Sequence, residues 1–160
     1  METSDRITYR RSTADDAEAV FALVGASVRT LSPDPYPREV VATWMAGRAS
    51  DDYLEDCRNQ QIWIAELGSV PIGFAHGVPG ELKRLFVDAD HAGRGVGAAL
   101  LERALRDTTP DGHGIVKIEA TLNAAPFYEK WGFKEVGRSV FPGRDEGLPQ
   151  IDVIVMSNDR

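Results

Sequence analysis

A single cysteine, Cys57, stands in 160 residues, so no disulfide can form within the chain. The three histidines, His76, His91 and His113, lie far apart with no metal-ligand spacing around them, and no zinc or other metal site is expected. No apolar run approaches the roughly 20 residues of a membrane-spanning helix. The opening stretch METSDRITYRR lacks the apolar core of a secretory signal. These absences lead to the expectation of a soluble, cytoplasmic protein with no membrane partner. Basic residues are outnumbered, 18 against 25 acidic ones, for a net charge of −7. Nucleic acid wants a basic surface and is not an expected partner, whereas cationic molecules gain from long-range attraction. Internal repeats and low-complexity segments are absent too. With 42% hydrophobic residues the chain can bury one real core and is too short for two ordinary domains, so residues 1–160 are read as a single domain.

What the sequence does have is a knot of glycines, Gly93, Gly95 and Gly97, within DADHAGRGVGAALLERAL. Glycine at alternate positions lets the backbone turn tightly and lets a ligand approach the peptide plane without meeting a Cβ. Gly97, Leu100, Leu101, Ala104 and Leu105 then recur at the spacing of a helix with one buried face. A loop whose free N–H groups run into a helix N-terminus attracts anions. Three phosphate-binding patterns compete for it. Gly93, Gly95 and Ala98 satisfy the dinucleotide pattern G-x-G-x-x-[GA], with Glu119 at a suitable distance downstream for a ribose. That motif follows its strand at once, however, and here five residues separate the glycines from the strand LKRLFV. The nucleotide-triphosphate loop is excluded because no Gly-Lys-[Ser/Thr] follows.

The third pattern carries a resemblance. ELKRLFVDADHAGRGVGAALLERAL resembles the acyl-CoA signature of the GNAT superfamily of N-acetyltransferases, in which a strand ending in Val leads through a polar link to [QR]-x-x-G-x-[GA] and a helix. The [QR] position is Ala92 here. A second block, IEATLNAAPFYEKWGFKEVG, resembles the family's later strand, short helix and return strand, with Asn123, Phe127, Tyr128, Gly132 and Phe133 matching its core. In physical terms Asn123 also suits a helix N-cap, and Gly132 a left-handed residue beyond the helix end.

The remaining segments read as follows. ITYRRST is a first strand, and Thr13 with Asp16 caps the helix ADDAEAVFALVGASV. Pro37 is the first residue of a second helix that presents Val40, Val41, Trp44 and Met45 and ends at Gly47. QIWIAEL and VPIGFAHGV form a hairpin about Gly68 and Ser69, and GELKRLFV returns beside them. IVKIEAT, a short helix, FKEVGRSVF and QIDVIVMS complete the order β-α-α-β-β-β-α-β-α-β-β. This is the order of the GNAT fold, an α/β (α+β) domain of about seven strands in a mixed sheet with about four helices, whose two central strands splay apart.

The resemblance implies an acyltransferase that moves an acetyl group from acetyl-CoA to a primary amine of a small molecule or protein, acting as a monomer or homodimer. A bulge near Leu85, Phe86 and Val87 would free backbone groups for the cofactor's pantetheine. Ala92, Gly93, Arg94, Gly95, Val96, Gly97 and Ala98 would hold its pyrophosphate, and Asn123 and Tyr128 would lie near the thioester. Tyr128 occupies the family's general-acid position, and Glu81, six residues before Val87, that of a strand glutamate acting as general base. His76 is a weaker base. The acceptor wall would come from residues 29–60, with Tyr36 and Trp44 as apolar or cation–π surface and Asp51, Asp52, Glu55 and Asp56 as carboxylates, and from the loop FPGRDEGLPQ. Two other classes remain open, a dinucleotide-dependent oxidoreductase and a non-catalytic acyl-CoA-binding module.

Overall fold

The computed structural model describes residues 6–110, 112–140 and 147–159. Seven strands form one sheet in the order β1-β2-β3-β4-β5-β7-β6. They are β1 (Ile7–Arg11), β2 (Ile62–Leu67), β3 (Val70–Val78), β4 (Glu81–Val87), β5 (Lys117–Ala120), β6 (Lys134–Val140) and β7 (Asp152–Ser157). Every neighbouring pair is antiparallel except β4 and β5. A lone parallel pair is not the doubly wound sheet of a dinucleotide-binding domain, and the oxidoreductase reading ends there.

Among the described residues five α-helices cover the two faces, close to the expected number of about four: α1 (Ala17–Arg29), α2 (Arg38–Thr43), α3 (Leu54–Arg58), α4 (Val96–Thr108) and α5 (Ala125–Glu129). The unforeseen element, α3, has five residues, too few for an amphipathic period to declare itself. On one face, α1 and α2 bury Val20, Val24, Val28, Val40 and Trp44 against Ile62, Ile64 and Phe74. On the other, α4 and α5 bury Leu100, Leu101, Ala104 and Tyr128 against Ala75, Leu82, Ile118 and Met156. The strand period of two sends alternate residues to the two cores. Helix α4 lies so close to β3 that a Cβ on Gly77 would collide with the Ala104 carbonyl oxygen and come within 3.0 Å of Thr108 Cγ2.

Three local expectations shift. Thr13 caps a 3₁₀ turn, Ala14–Asp16, that leads into α1, and its N–H donates to Asp16 Oδ2 at 2.7 Å. Pro37 is the N-cap of α2, not its first residue. Ala124, not Asn123, is the N-cap of α5. Gly132 does take the left-handed conformation, at φ 91°. Among the described residues no helix is long and apolar enough to cross a membrane, and no cluster of three or more His, Cys, Asp or Glu could hold a metal ion.

Candidate active site

The site begins with an interruption of the sheet. Gly77 on β3 pairs with Leu82, and the next β3 partner, His76, pairs with Arg84, so Lys83 is extruded as a bulge. The bulge lies two residues before the expected segment at Leu85. At the same place β4 leaves β5: Glu81 pairs with Lys117 and Leu82 with Ile118, and no later residue of β4 is paired with β5. Beyond Leu82 a cleft opens between the strands, lined by Lys83, Arg84, Leu85 and Phe86 from β4 and by Glu119, Ala120 and Thr121. Val24, Trp44 and Arg48 close it on the α1–α2 side, and Ala124 and Tyr128 on the α5 side.

At the far end of β4 the chain passes through Asp88, whose N–H donates to the Ile72 carbonyl at 2.8 Å, into a 3₁₀ turn, Ala89–His91, and then into the glycines. Gly93 and Gly95 sit in the left-handed region at φ 84° and 79°, with open space where a Cβ would stand. Gly95 caps α4. Among the described residues, the N–H groups of Gly95, Val96, Gly97 and Ala98 donate to no acceptor. Gly97 differs from the other two glycines, because it lies in the first turn of α4 without a positive φ. A Cβ there would make ordinary contacts at 3.6 Å with Phe127 Cζ and 3.8 Å with Val87 Cγ2. The helix start therefore abuts both the end of β4 and α5.

Tyr128 is almost fully enclosed, at 5% exposure, between Phe127 and Phe133, with ring centroids 5.2 Å and 6.2 Å away. Its hydroxyl has no hydrogen-bond partner among the described residues. Burial raises its pKa well above the ordinary tyrosine value, so the phenol keeps its proton across the working range. Asn123 is exposed on the turn before α5 and does not line the cleft.

Glu81 lies at the closed end, where β4 and β5 are still joined, and is not part of the cleft lining. The carboxylate that does line it is Glu119, on the first strand beyond the split, held by Lys117 Nζ at 3.3 Å. His76 is completely buried on β3, bonded through Nε2 to Gln61 Oε1 at 3.0 Å, and burial pushes its pKa down to about 4. It too stands outside the lining. Cys57 is buried, and desolvation pushes its thiol up to about 11, which leaves it inert as a nucleophile.

Tyr36 belongs to the core rather than to an acceptor wall. Its hydroxyl donates to the Asp152 carbonyl at 2.6 Å and accepts from the Leu122 N–H at 3.1 Å, tying the segment before α2 to β7 and to the turn before α5. Its ring stands edge-on to Trp44, 5.2 Å away. Trp44 is 2% exposed yet reaches the cleft, so its face is a structural wall of the site. Part of the expected acceptor loop, residues 141–146, lies outside the described residues.

Arg48, Lys83 and Arg84 have no counterpart among the expected site residues. For Lys83 and Arg84 the signal was the parity of β4. Leu82, Leu85 and Val87 all pack towards α4 and α5, which a regular strand cannot achieve with a three-residue step, and the bulge that allows it turns Arg84 and Phe86 towards α1 and α2.

Comparison with known proteins fits this geometry. Residues 32–150 match the family model described as an acetyltransferase (GNAT) domain. The chain is 33% identical over 152 residues to the peptidyl-lysine N-acetyltransferase YjaB of Salmonella typhimurium, covering 92% of this chain and 97% of that protein. It is similar to the crystal structure of a GCN5-related N-acetyltransferase from Rhodopseudomonas palustris, with a TM-score of 0.80, 26% identity and coverage of 96% of this chain and 95% of that one. The PaiA N-acetyltransferase of Thermoplasma acidophilum, crystallised in complex with coenzyme A, shares the fold at a TM-score of 0.71 and 20% identity, over 97% and 99% of the two chains. The family match covers most of the sequence, and the chain belongs to the GNAT family of N-acetyltransferases.

Proposed function

We propose that the protein transfers an acetyl group from acetyl-CoA to a primary amine by direct attack within the β4–β5 cleft. The observation that carries this reading is the conjunction of unpaired strand edges beyond Leu82 with the unpaired first-turn amides at Gly95, Val96, Gly97 and Ala98. A sheet edge and a helix N-terminus left without partners suit, respectively, an amide-bearing arm and a pyrophosphate. Acetyl-CoA supplies the acetyl group as a thioester. The backbone of Leu85, Phe86 and Val87 pairs with its pantetheine arm, and Gly93, Gly95 and the start of α4 hold its phosphates, with Ala92 and Arg94 flanking them. Tyr128, buried and protonated, donates to the departing sulfur.

The acceptor amine must be neutral to attack, and an alkyl ammonium titrates near about 10.4 in water. Glu119, on the cleft wall facing α1 and α2, orients the ammonium and receives its proton. Glu81 is left at the strand end with no proton to carry. The YjaB relative is named for peptidyl-lysine, and a lysine side chain is one primary amine this cleft could take.

The test is release of free thiol from acetyl-CoA across a panel of amines, with melting temperature followed in parallel. Coenzyme A should raise the melting temperature at millimolar concentration, because a ligand that binds only the folded state stabilises it, while NAD should do much less. Glu119→Gln should slow turnover and recover at high pH, where more amine is already neutral, whereas Glu81→Gln should leave the pH profile in place. A coenzyme A effect with no thiol release for any amine would favour a non-catalytic binding module.

A further inference from the structure

The charge of the cleft runs against the charge of the chain. Acidic residues outnumber basic ones by 25 to 18 overall. Yet three cations, Arg48, Lys83 and Arg84, line the cleft beside one carboxylate, Glu119, which Lys117 already engages. Arg84 is the informative one. The bulge at Lys83 turns it to the α1–α2 side, where its guanidinium carbon stands 5.0 Å from the centroid of the Tyr53 ring. Tyr53 is itself 1% exposed, so the stacking platform is rigid. No carboxylate among the described residues forms an ion pair with Arg84, in contrast to Arg10 and Arg11, which are held by Asp16 and Asp107 at 2.8 Å and 2.7 Å. A half-buried guanidinium placed by an aromatic face and, among the described residues, without an anion is suited to recognise one.

That anion does not need to be the coenzyme's pyrophosphate. The amides that fit a pyrophosphate lie beyond Val87, at the opposite end of β4, and Arg84 faces the other side of the sheet with Phe86. Glu119 shares that side, since its neighbours Ile118 and Ala120 point into the α4–α5 core. A carboxylate for an ammonium and a guanidinium for an anion thus line one cleft.

We infer that the acceptor is zwitterionic, a primary amine carrying a carboxylate or phosphate group close to the reacting nitrogen, with the anion bound by Arg84 and the ammonium by Glu119. This rests on the acetyl-transfer reading and narrows its substrate. The anion excludes unsubstituted alkylamines and polyamines as preferred acceptors, because each would set a second positive or an apolar end against Arg84, Arg48 and Lys83.

Thiol release is measured with leucine, leucinamide and isopentylamine, with 3-aminopropyl phosphate, propylamine and the diamine 1,3-diaminopropane, and with a glycine-flanked lysine peptide. A hydrogen bond to a charged partner commonly changes kcat/KM by roughly ten- to a hundredfold. Leucine or the aminoalkyl phosphate should exceed its uncharged counterpart by that factor, and which of the two does so identifies carboxylate or phosphate as the anion. In Arg84→Gln the ratio of acid to amide should fall towards one. In Arg84→Glu it should fall below one and 1,3-diaminopropane should become the better acceptor, while Arg84→Lys should keep part of the original preference. Neutral amines or the lysine peptide acetylated as well as the acids would overturn the inference and leave acetyl transfer standing. Thiol release with none of these amines, or with diamines alone in the unmodified protein, overturns it as well, and the first of these outcomes also removes the acetyl-transfer reading.

Discussion

Leu82 and Leu85 lie on the same face of the sheet although they are three residues apart, because Lys83 is extruded between them. The same extruded residue marks where β4 abandons β5 and where Arg84 is redirected to the opposite face. One bulge therefore stands where the cleft begins and turns Arg84 to the α1–α2 side of the sheet.

Deleting Lys83 should remove the bulge and leave a strictly alternating strand, in which Leu82 and Leu85 still face α4 and α5 and Arg84 still faces away. The variant is expected to fold, with circular dichroism and melting close to the parent, but to lose most of its coenzyme A thermal shift as β4 closes towards β5. A full thermal shift in the deletion would show that the parting of the strands is independent of the bulge.

The glycines separate into two classes. Gly95→Val forces an L side chain into a left-handed conformation, with φ 79°, at the cap of α4, and should weaken coenzyme A binding more than it lowers stability. Gly97→Ala meets only van der Waals contacts in a helical turn and, by helix propensity, should be neutral or stabilising by up to about 1 kcal/mol. Isothermal titration with coenzyme A and thermal melts of the two variants would distinguish them. Loss of stability in Gly95→Val with no selective loss of coenzyme A binding would make Gly95 a simple turn residue.

Much of this architecture was legible in the residues. The cap at Thr13 and Asp16 located α1, periodicity located the patch from Val40 to Trp44 and α4, and the first motif block located the strand split to within two residues. What escaped the sequence was whatever depends on register. A bulge adds no residue type of its own, so Lys83 and Arg84 read as ordinary strand positions until their partners on β3 are known. Tyr36 misled for a different reason. An aromatic ring in the segment after the first helix suggests apolar or cation–π surface, but the two bonds of its hydroxyl, to Asp152 and Leu122, come from segments more than 80 residues away. The global charge of −7 likewise carries no information on how charge is distributed, and nothing in it foretold that Arg48, Lys83 and Arg84 would line one cleft.

His76 makes stability fall early on acidification. It titrates near 4 in the folded protein against an ordinary value near 6.5, with burial as the main cause and Arg84 and Lys83 opposing its protonation against Asp56 and Asp107. The unfolded chain therefore binds more protons between pH 6.5 and 4, and stability drops as the pH falls through that window, by on the order of 2–3 kcal/mol. Asp16, held below the usual carboxylate range chiefly by its hydrogen bonds from Arg10, loses its contribution only at lower pH. Melting temperature against pH should thus decline in two stages, and His76→Gln should flatten the first while leaving the second. A profile unchanged by that substitution would assign the early loss to other groups.

Tyr128→Phe keeps the ring between Phe127 and Phe133 and removes only the hydroxyl, so the fold and the coenzyme A thermal shift should be retained. General-acid contributions are typically about 10²–10⁴ in rate, and turnover should fall on that order where departure of the thiolate limits the reaction. Two further measurements isolate the proton. An acetyl donor with a more acidic thiol leaves unaided and should be far less sensitive to the substitution. Because burial holds the phenol protonated beyond the ordinary tyrosine range, the unmodified protein should show no loss of general-acid assistance between about pH 8 and 10, in contrast to an exposed tyrosine with a pKa near 10. Full single-turnover activity of Tyr128→Phe with acetyl-CoA would make Tyr128 a packing residue and leave the sulfur to take its proton from water or from the acceptor.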